Sequence, residues 1–239
     1  MTSSPLSFIL ALVVSLSLAT LNAADIQDDF SKESGQWRFS QGGGKGKHTV
    51  QNSRLEFTTQ RTSTNNDSAT HYLKAIIGRY DESWEVQADV YLGSFPLGAK
   101  DPYAGLALLV GNVSKTDRSF IRVQLRKGAN DRRAFNADAY AGRKHLGSEW
   151  SDTSAVTATI KIQFDSKTKV LTASYDADGP GAAATFVAFY NIDISKGSNA
   201  WKMRSSDVFE FSMVSQSTRT VVSSGDMYFD NAIVKNLGR

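Results

Sequence analysis

The sequence contains no cysteine, and this absence excludes several kinds of chemistry at once. Without thiols the chain has no disulfide, no thiol nucleophile and no cysteine-ligated zinc. A globular domain of roughly 215 residues buries enough surface to fold without such cross-links. This pattern is typical of a bacterial exported domain rather than of a small disulfide-rich animal module.

Histidine is also scarce, and a motif typical of nucleic-acid binding is missing. The three histidines, His48, His71 and His145, lie in unrelated sequence contexts, and no G-x-S-x-G turn presents a serine nucleophile. The net charge of +3 is mild, and the basic residues lack the regular aromatic interleaving of single-strand binders. The sequence therefore indicates neither a serine triad nor a nucleic-acid partner.

One uncharged apolar run, residues 5–24, precedes an abruptly polar segment. Its centre, from Phe8 to Leu21, has the length of a signal-peptide core and is short for a bilayer span of roughly 20 residues. Small residues follow at positions 22–24. We expect residues 1–23 to be a secretory signal peptide and residues 24–239 one secreted, periplasmic or cell-surface domain, free of the membrane after cleavage. The alternative is an uncleaved membrane anchor.

Beyond residue 47 the apolar residues recur at every second position, which is the mark of half-buried strands. The alternation is clearest in residues 84–92, 121–126 and 156–164. Helical periodicity is almost absent, and turn residues separate about a dozen strand-like segments. The sequence predicts an all-β fold, a two-sheet antiparallel jelly-roll sandwich. Residues 103–110 are apolar at nearly every position, which predicts a central strand.

Four segments carry a family resemblance: an opening DDFS followed by Trp37, then YAGLALLVGN with SFIRVQL, the hairpin TIKIQFDSKTKVLTASYDADG, and a terminal MYFDNAIV. Together they resemble the concanavalin A-like lectin/glucanase superfamily, with LamG-like jelly rolls. The resemblance implies paired first and last strands and ligands on the concave sheet. The superfamily includes enzymes and binding proteins, so function depends on the site.

The residues offer two catalytic alternatives. The glucanases resemble one another in an E-x-D-x-E strand, whereas here Glu85 and Asp89 flank a central glutamine. These positions are about 13 Å apart on a regular strand, and glycoside hydrolysis needs carboxyls roughly 5 to 9.5 Å apart. Alginate-lyase-like jelly rolls use arginine, glutamine, histidine and tyrosine. Arg122, Gln124, Tyr140 and His145 offer these types without the Q-x-H strand of those enzymes.

Binding without cleavage is the preferred hypothesis, with a polysaccharide or cell-surface glycan as the partner. Its predicted ligand-binding residues are Tyr91, Arg122, Gln124, Arg126 and Trp150. Trp150 and Trp201 both lie in polar, loop-like sequence, where each is either an exposed platform or a cap on the core. The basic residues from 122 to 144 favour an acidic glycan, or form a solubilising edge. A structural or protein-interaction domain without a sugar ligand is the third hypothesis.

A structural calcium ion is implied by the resemblance, at the place where the paired terminal strands collect acidic side chains. Asp28, Asp29 and Asp230 are the predicted ligands, since calcium takes hard oxygen donors. The stretch SYDADGPG, residues 174–181, has the D-x-D-G start of a calcium loop. It lacks the third acid and the flanking helices, so the sequence predicts a strand turn there.

Overall fold

A computed structural model describes residues 25–41, 44–59, 66–97, 103–112, 118–180 and 183–239. The predicted signal peptide, residues 1–23, lies outside the described residues. Within them, no helix has the length and apolar character needed to span a membrane. The strands are β1 (Ile26–Asp28), β2 (Trp37–Gln41), β3 (Lys47–Gln51), β4 (Arg54–Thr58), β5 (Asn66–Leu73), β6 (Gly78–Arg79), β7 (Ser83–Leu92), β8 (Tyr103–Asn112), β9 (Phe120–Lys127), β10 (Arg133–Ala141), β11 (Lys144–Thr153), β12 (Thr157–Asp165), β13 (Val170–Asp176), β14 (Val187–Asp193), β15 (Val208–Thr218) and β16 (Met227–Gly238).

The strands form two antiparallel sheets. Sheet I has the order β14-β13-β12-β7-β16-β4-β3, with β1 paired to β16. Sheet II has the order β11-β10-β9-β8-β15-β5-β2, with β6 paired to β15. The predicted all-β, two-sheet jelly-roll sandwich is confirmed. The first and last strands pair as the resemblance implies, with Ile26 opposite Val234.

One apolar core lies between the sheets, and the period-two alternation builds it. On β7 the fully buried residues include Trp84, Val86 and Ala88, and on β9 they include Ile121 and Val123. The residues between them on each strand therefore point away from the core. Burial of a large aliphatic or aromatic side chain stabilises such a core by about 1.5–3 kcal/mol.

Strand β8 is central in sheet II, as its apolar composition predicts, because β9 and β15 flank it on either side. Leu106, Leu108 and Val110 are fully buried in the core. On the outer face the same strand carries Gly105 and Ala107, whose side chains are absent or small. At these two positions, in the middle of the outer face of sheet II, no large side chain extends from the backbone.

The described part of the SYDADGPG stretch, residues 174–180, leads from the end of β13 into a turn, as predicted. Strand β13 ends at Asp176, whose carboxylate accepts hydrogen bonds from the Asp178 N–H at 3.1 Å and the Thr185 N–H at 2.8 Å. Gly179 has a φ of +69°, which an L side chain rarely adopts. Asp176 is almost fully buried and is committed to holding this reversal together.

Candidate functional site

The predicted ligand-binding residues divide between the two sides of the sandwich. Tyr91 alternates with core residues on β7 and points outward from sheet I, where its ring stacks on Tyr228 at 4.7 Å. Arg122, Gln124 and Arg126 alternate with core residues on β9 and point outward from sheet II. The expected grouping of Tyr91 with the β9 residues is therefore corrected, because the core separates the two outer faces.

Trp150 joins the β9 residues on the outer face of sheet II. It lies opposite Asn136 on β10, and Asn136 lies opposite Gln124 on β9. Trp150 is 53% exposed, whereas the other tryptophan in a polar segment, Trp201, is 2% exposed and packs near Phe209. Of the two alternatives for each ring, Trp201 caps the core, whereas Trp150 is exposed as a binding platform would require.

Arg126 is held between two aromatic rings. Its guanidinium carbon lies 4.8 Å from the Trp150 ring and 4.8 Å from the Tyr103 ring. The Tyr103 hydroxyl in turn donates a hydrogen bond to the Gln216 side chain. Burial raises the pKa of the Tyr103 phenol and lowers the pKa of the Arg126 guanidinium. The rings fix the plane of the guanidinium, so its N–H edges are oriented before any ligand arrives.

No salt bridge among the described residues involves Arg126. A cavity of about 320 Å³ opens beside it, lined also by Trp150, Arg132 and Asp152. At the exposed rim of this cavity, Arg132 and Asp152 form a salt bridge with a nitrogen–oxygen distance of 3.6 Å. Because the Arg126 guanidinium lines this cavity without a salt-bridge partner, it is available to hydroxyl or carboxylate oxygens of a ligand.

The other two β9 residues are engaged within the protein. Arg122 donates to both carboxylate oxygens of Asp138, at 3.0 and 2.6 Å. Gln124 is 3% exposed and donates to the Asn136 side-chain oxygen at 2.7 Å, and Asn136 donates to the Glu149 carbonyl at 3.1 Å. These contacts join β9, β10 and β11, the strands that carry Arg126 and Trp150. The Trp150 ring remains exposed, and the Arg126 side chain remains partly exposed.

Besides Arg122, two residues of the basic cluster serve the fold. Lys127 and Arg133 are buried, and each forms an ion pair with Asp131. The Lys127 ammonium donates to the Phe95 carbonyl at 2.8 Å, and the Arg133 guanidinium donates to the Gly93 carbonyl at 3.1 Å. They anchor the segment that follows β7. The sequence-based preference for an acidic glycan therefore depends on Arg126 far more than on the count of basic residues.

The three predicted calcium ligands differ in their surroundings. Asp28 accepts hydrogen bonds inside the sandwich, from the Trp37 indole N–H at 2.8 Å and the Ser34 hydroxyl at 2.6 Å. Asp29 is exposed and accepts from the Ser31 N–H at 3.0 Å. In the part of the chain that is described, no group of three or more His, Cys, Asp or Glu side chains has a metal-holding arrangement.

Asp230 nevertheless has an acidic neighbourhood. It lies opposite Asp89 in the pairing of β16 with β7. Burial raises the pKa of Asp230 from its usual 3.8, and the nearby charges of Asp89 and Asp29 raise it further. Calcium near Asp230 stays a prediction.

The residues of the glucanase hypothesis have structural partners on the outer face of sheet I. Asp89 accepts from the Thr159 hydroxyl at 2.5 Å and the Asn231 amide at 2.8 Å, and Glu85 pairs with Lys235 at 3.2 Å. The four residue positions of the lyase hypothesis share the outer face of sheet II. Among them the Tyr140 and His145 rings lie 4.9 Å apart, whereas Arg122 and Gln124 are engaged as described.

Comparisons with known proteins bear on the fold. No protein-family model matches the sequence, and no curated protein sequence matches it. The Lotus tetragonolobus seed lectin aligns with a TM-score of 0.58 at 11% identity, covering 90% of this chain and 99% of that one. The carbohydrate recognition domain of Emp47p aligns with a TM-score of 0.55 at 12% identity, covering 89% and 94%.

A third similar structure is the CBM2 module of the evolved Dit of Lactobacillus casei BL23 phage J-1. It has a TM-score of 0.55 at 12% identity and covers 87% of this chain and 93% of the module. At these identities the likeness concerns the fold. The resemblance seen in the sequence is confirmed at that level.

Proposed function

We propose that this chain, which has the concanavalin A-like jelly-roll fold, binds a carbohydrate on the outer face of sheet II without cleaving it. The observation that carries the proposal is the exposed Trp150 ring beside the Arg126 guanidinium, which is itself clamped against Tyr103. A large exposed ring next to an oriented cation on a rigid sheet is a binding feature rather than a folding one. The lectin and carbohydrate-recognition names of the similar structures agree with it.

The chemistry of the two side chains defines the contact. The face of an indole ring packs against the apolar C–H surface of a pyranose, while its exposed position leaves room for a bulky chain. The Arg126 N–H groups then donate to sugar oxygens, and most strongly to a carboxylate or sulfate. We propose an acidic unit at this position, since no carboxylate within the described residues forms a salt bridge with Arg126.

A glycan array that includes uronate-containing and sulfated polysaccharides tests the proposal directly. Tryptophan fluorescence gives a second readout, because Trp37, Trp84 and Trp201 are buried and only Trp150 of the four tryptophans is exposed. Binding should change the emission of Trp150. The change should vanish in Trp150→Ala, together with a loss of affinity of about tenfold or more.

Tyr91→Ala is the matched control, because it removes an aromatic ring from the opposite outer face. It should retain the affinity of the unaltered protein. Unchanged binding in Trp150→Ala, or loss of binding in Tyr91→Ala, would place the site elsewhere. Absence of any retained glycan across the array would favour the structural or protein-interaction hypothesis instead.

We also propose that the domain acts outside the cytoplasm, as a secreted, periplasmic or cell-surface protein. The signal-like residues 1–23 and the lack of cysteine support this localisation. Cell fractionation of the full chain, combined with N-terminal sequencing of the exported form, tests it. A cytoplasmic protein that still begins at Met1 would contradict it.

A uronate lyase is the second candidate, favoured by the positions of Arg122, Gln124, Tyr140 and His145 on one outer face. Its chemistry needs a cation that neutralises the uronate and a group that removes the proton. Arg122 is instead held by Asp138 in a bidentate pair, which supports binding over cleavage. An assay for unsaturated uronate on polyuronates separates the two: product that disappears in Tyr140→Phe or His145→Ala would establish the lyase.

A further inference from the structure

A second cavity, of about 250 Å³, opens on the same outer face of sheet II. Its lining includes Tyr72, Gly111, Arg118, Phe120, Glu210 and Ser212. Glu210 and Phe120 lie opposite Gly111 on its two sides, one on β15 and the other on β9. Because Gly111 has no side chain, the floor between a carboxylate and an aromatic ring is open.

The two cavities lie at opposite ends of one shallow path. Phe120 borders the second cavity and Arg126 borders the first, six positions further along β9, which corresponds to about 20 Å on a strand. Between them the outward residues of β8 are Ala107 and Leu109. Ala107 is small and Leu109 lines the second cavity, so the path continues from one cavity to the other, and its length fits about four hexose units of a linear chain.

The two ends of the path differ in charge. The first cavity is lined by Arg126, Arg132, Arg133 and Asp152, whereas the charged residues that line the second are Glu210 and the exposed Arg118. Arg126 is a cation at the first cavity. Glu210 is a partly exposed carboxylate at the second, and it takes part in no salt bridge within the described part of the chain. A carboxylate accepts hydrogen bonds from sugar hydroxyls, but it repels a uronate. The end at Glu210 therefore suits a neutral sugar, and the end at Arg126 suits an acidic one.

We propose, resting on the carbohydrate-binding function proposed above, that the ligand is a linear glycan containing both acidic and neutral units. It lies along β8 with an acidic unit at Arg126 and a neutral unit at Glu210, so the site spans about four units of the chain rather than one terminal sugar. The ring of Phe120 packs against the neutral unit, while the Glu210 carboxylate accepts its hydroxyl protons in hydrogen bonds.

Isothermal titration with unsulfated chondroitin oligosaccharides of two, four and six units tests the proposal, since these chains alternate a uronate with a neutral amino sugar. The four- and six-unit chains should bind about tenfold more tightly than the two-unit chain. Glu210→Gln should reduce this gain and leave the affinity for the two-unit chain unchanged. Glu149→Gln, which removes an exposed carboxylate outside the cavity, should change neither value.

With a four-unit oligogalacturonate, in which every unit is acidic, Glu210→Gln should have the opposite effect on affinity. The oligogalacturonate should bind the unaltered protein more weakly than the four-unit chondroitin chain, and it should gain affinity in Glu210→Gln because a repulsion is removed. Equal affinity for all chain lengths, or no effect of Glu210→Gln on either probe, would overturn the extended site. That result would leave the proposed function intact, which fails only if no glycan binds at all.

Discussion

His48 on β3 and His71 on β5 lie side by side where the two sheets meet, with ring centroids 5.3 Å apart. The His48 Nε2 atom lies 2.7 Å from the Ser215 hydroxyl, and Phe39 packs against both imidazoles. Burial lowers the pKa of His48 well below 6.5 and the pKa of His71 to about 4, although Asp28 acts in the opposite direction on His71. Both rings are therefore neutral in the folded protein at pH 7.

Acidification should destabilise the fold through this pair. Between pH 6.5 and about 4 the histidines of the unfolded chain become protonated, whereas the buried rings of the folded protein stay neutral. The free energy of unfolding is therefore highest above pH 6.5 and decreases as the pH falls. His71 alone contributes about 3 kcal/mol to the loss. Denaturation in urea at several pH values should show a shallower decline for His71→Phe, and no such change for the exposed His145→Ala. Equal declines in all three proteins would refute this role.

Glu56→Gln should destabilise the protein at neutral pH. The buried Glu56 carboxylate accepts from Gln51 at 2.7 Å, Asn52 at 3.1 Å, the Ser224 hydroxyl at 2.6 Å and the Gly225 N–H at 2.9 Å. Burial acts to raise its pKa, but these hydrogen bonds outweigh burial and lower it to about 2. The stability that the charged form supplies is present above pH 4.5, is lost as the pH falls through about 2, and amounts to about 3 kcal/mol.

Urea denaturation at pH 7 measures this loss, and Glu85→Gln is its control. Glu85 forms a partly exposed pair with Lys235, which is worth less than about 1 kcal/mol. A loss for Glu56→Gln no larger than that of the control would contradict the account.

Asp28→Ala should cost about 2–4 kcal/mol, because it leaves three donors without their acceptor. These are the Phe30 N–H, the Ser34 hydroxyl and the Trp37 indole N–H. Thermal unfolding followed by near-ultraviolet circular dichroism, which reports on the surroundings of Trp37, measures the change. Asp29→Ala removes a neighbouring exposed carboxylate and should leave the midpoint almost unchanged.

Asp230→Asn should raise the melting temperature in EDTA at pH 7. The raised pKa of Asp230 favours its protonated form in the folded state, so its contribution to stability is complete below pH 3.8 and is lost as the pH rises. The gain should be a few degrees at pH 7, about 1–3 °C, and should shrink at pH 3. The calcium prediction is tested separately. If calcium binds at Asp230, millimolar calcium raises the melting temperature of the unaltered protein and not that of Asp230→Asn.

Much of the fold was predictable because strand alternation is a local property. The alternating residues on β7 and β9 were assigned from the sequence, and their core faces agree with the structure. The relation between the strands is not local. Tyr91 and Arg122 both point outward, but β7 and β9 belong to different sheets, which only the strand order determines.

The candidate site could be predicted only in part, because it also depends on the relation between strands. Trp150 and Trp201 occupy similar polar sequence, yet one lies on the edge strand β11 and the other folds onto Phe209. Tyr103 was missed as a partner of Arg126, because its distance in sequence hides a contact that the pairing of β8 with β9 creates. Its place at the start of an apolar strand, next to polar sequence, was the available signal.

The final strand of the chain, β16, lies in the interior of sheet I between β7 and β4 and also holds β1. The sheet therefore cannot be completed before β16 is available, whatever the order in which the earlier strands form. A chain that has not yet placed β16 leaves β7, β4 and β1 without their shared partner, and pairing with these twelve residues joins the three strands into one sheet.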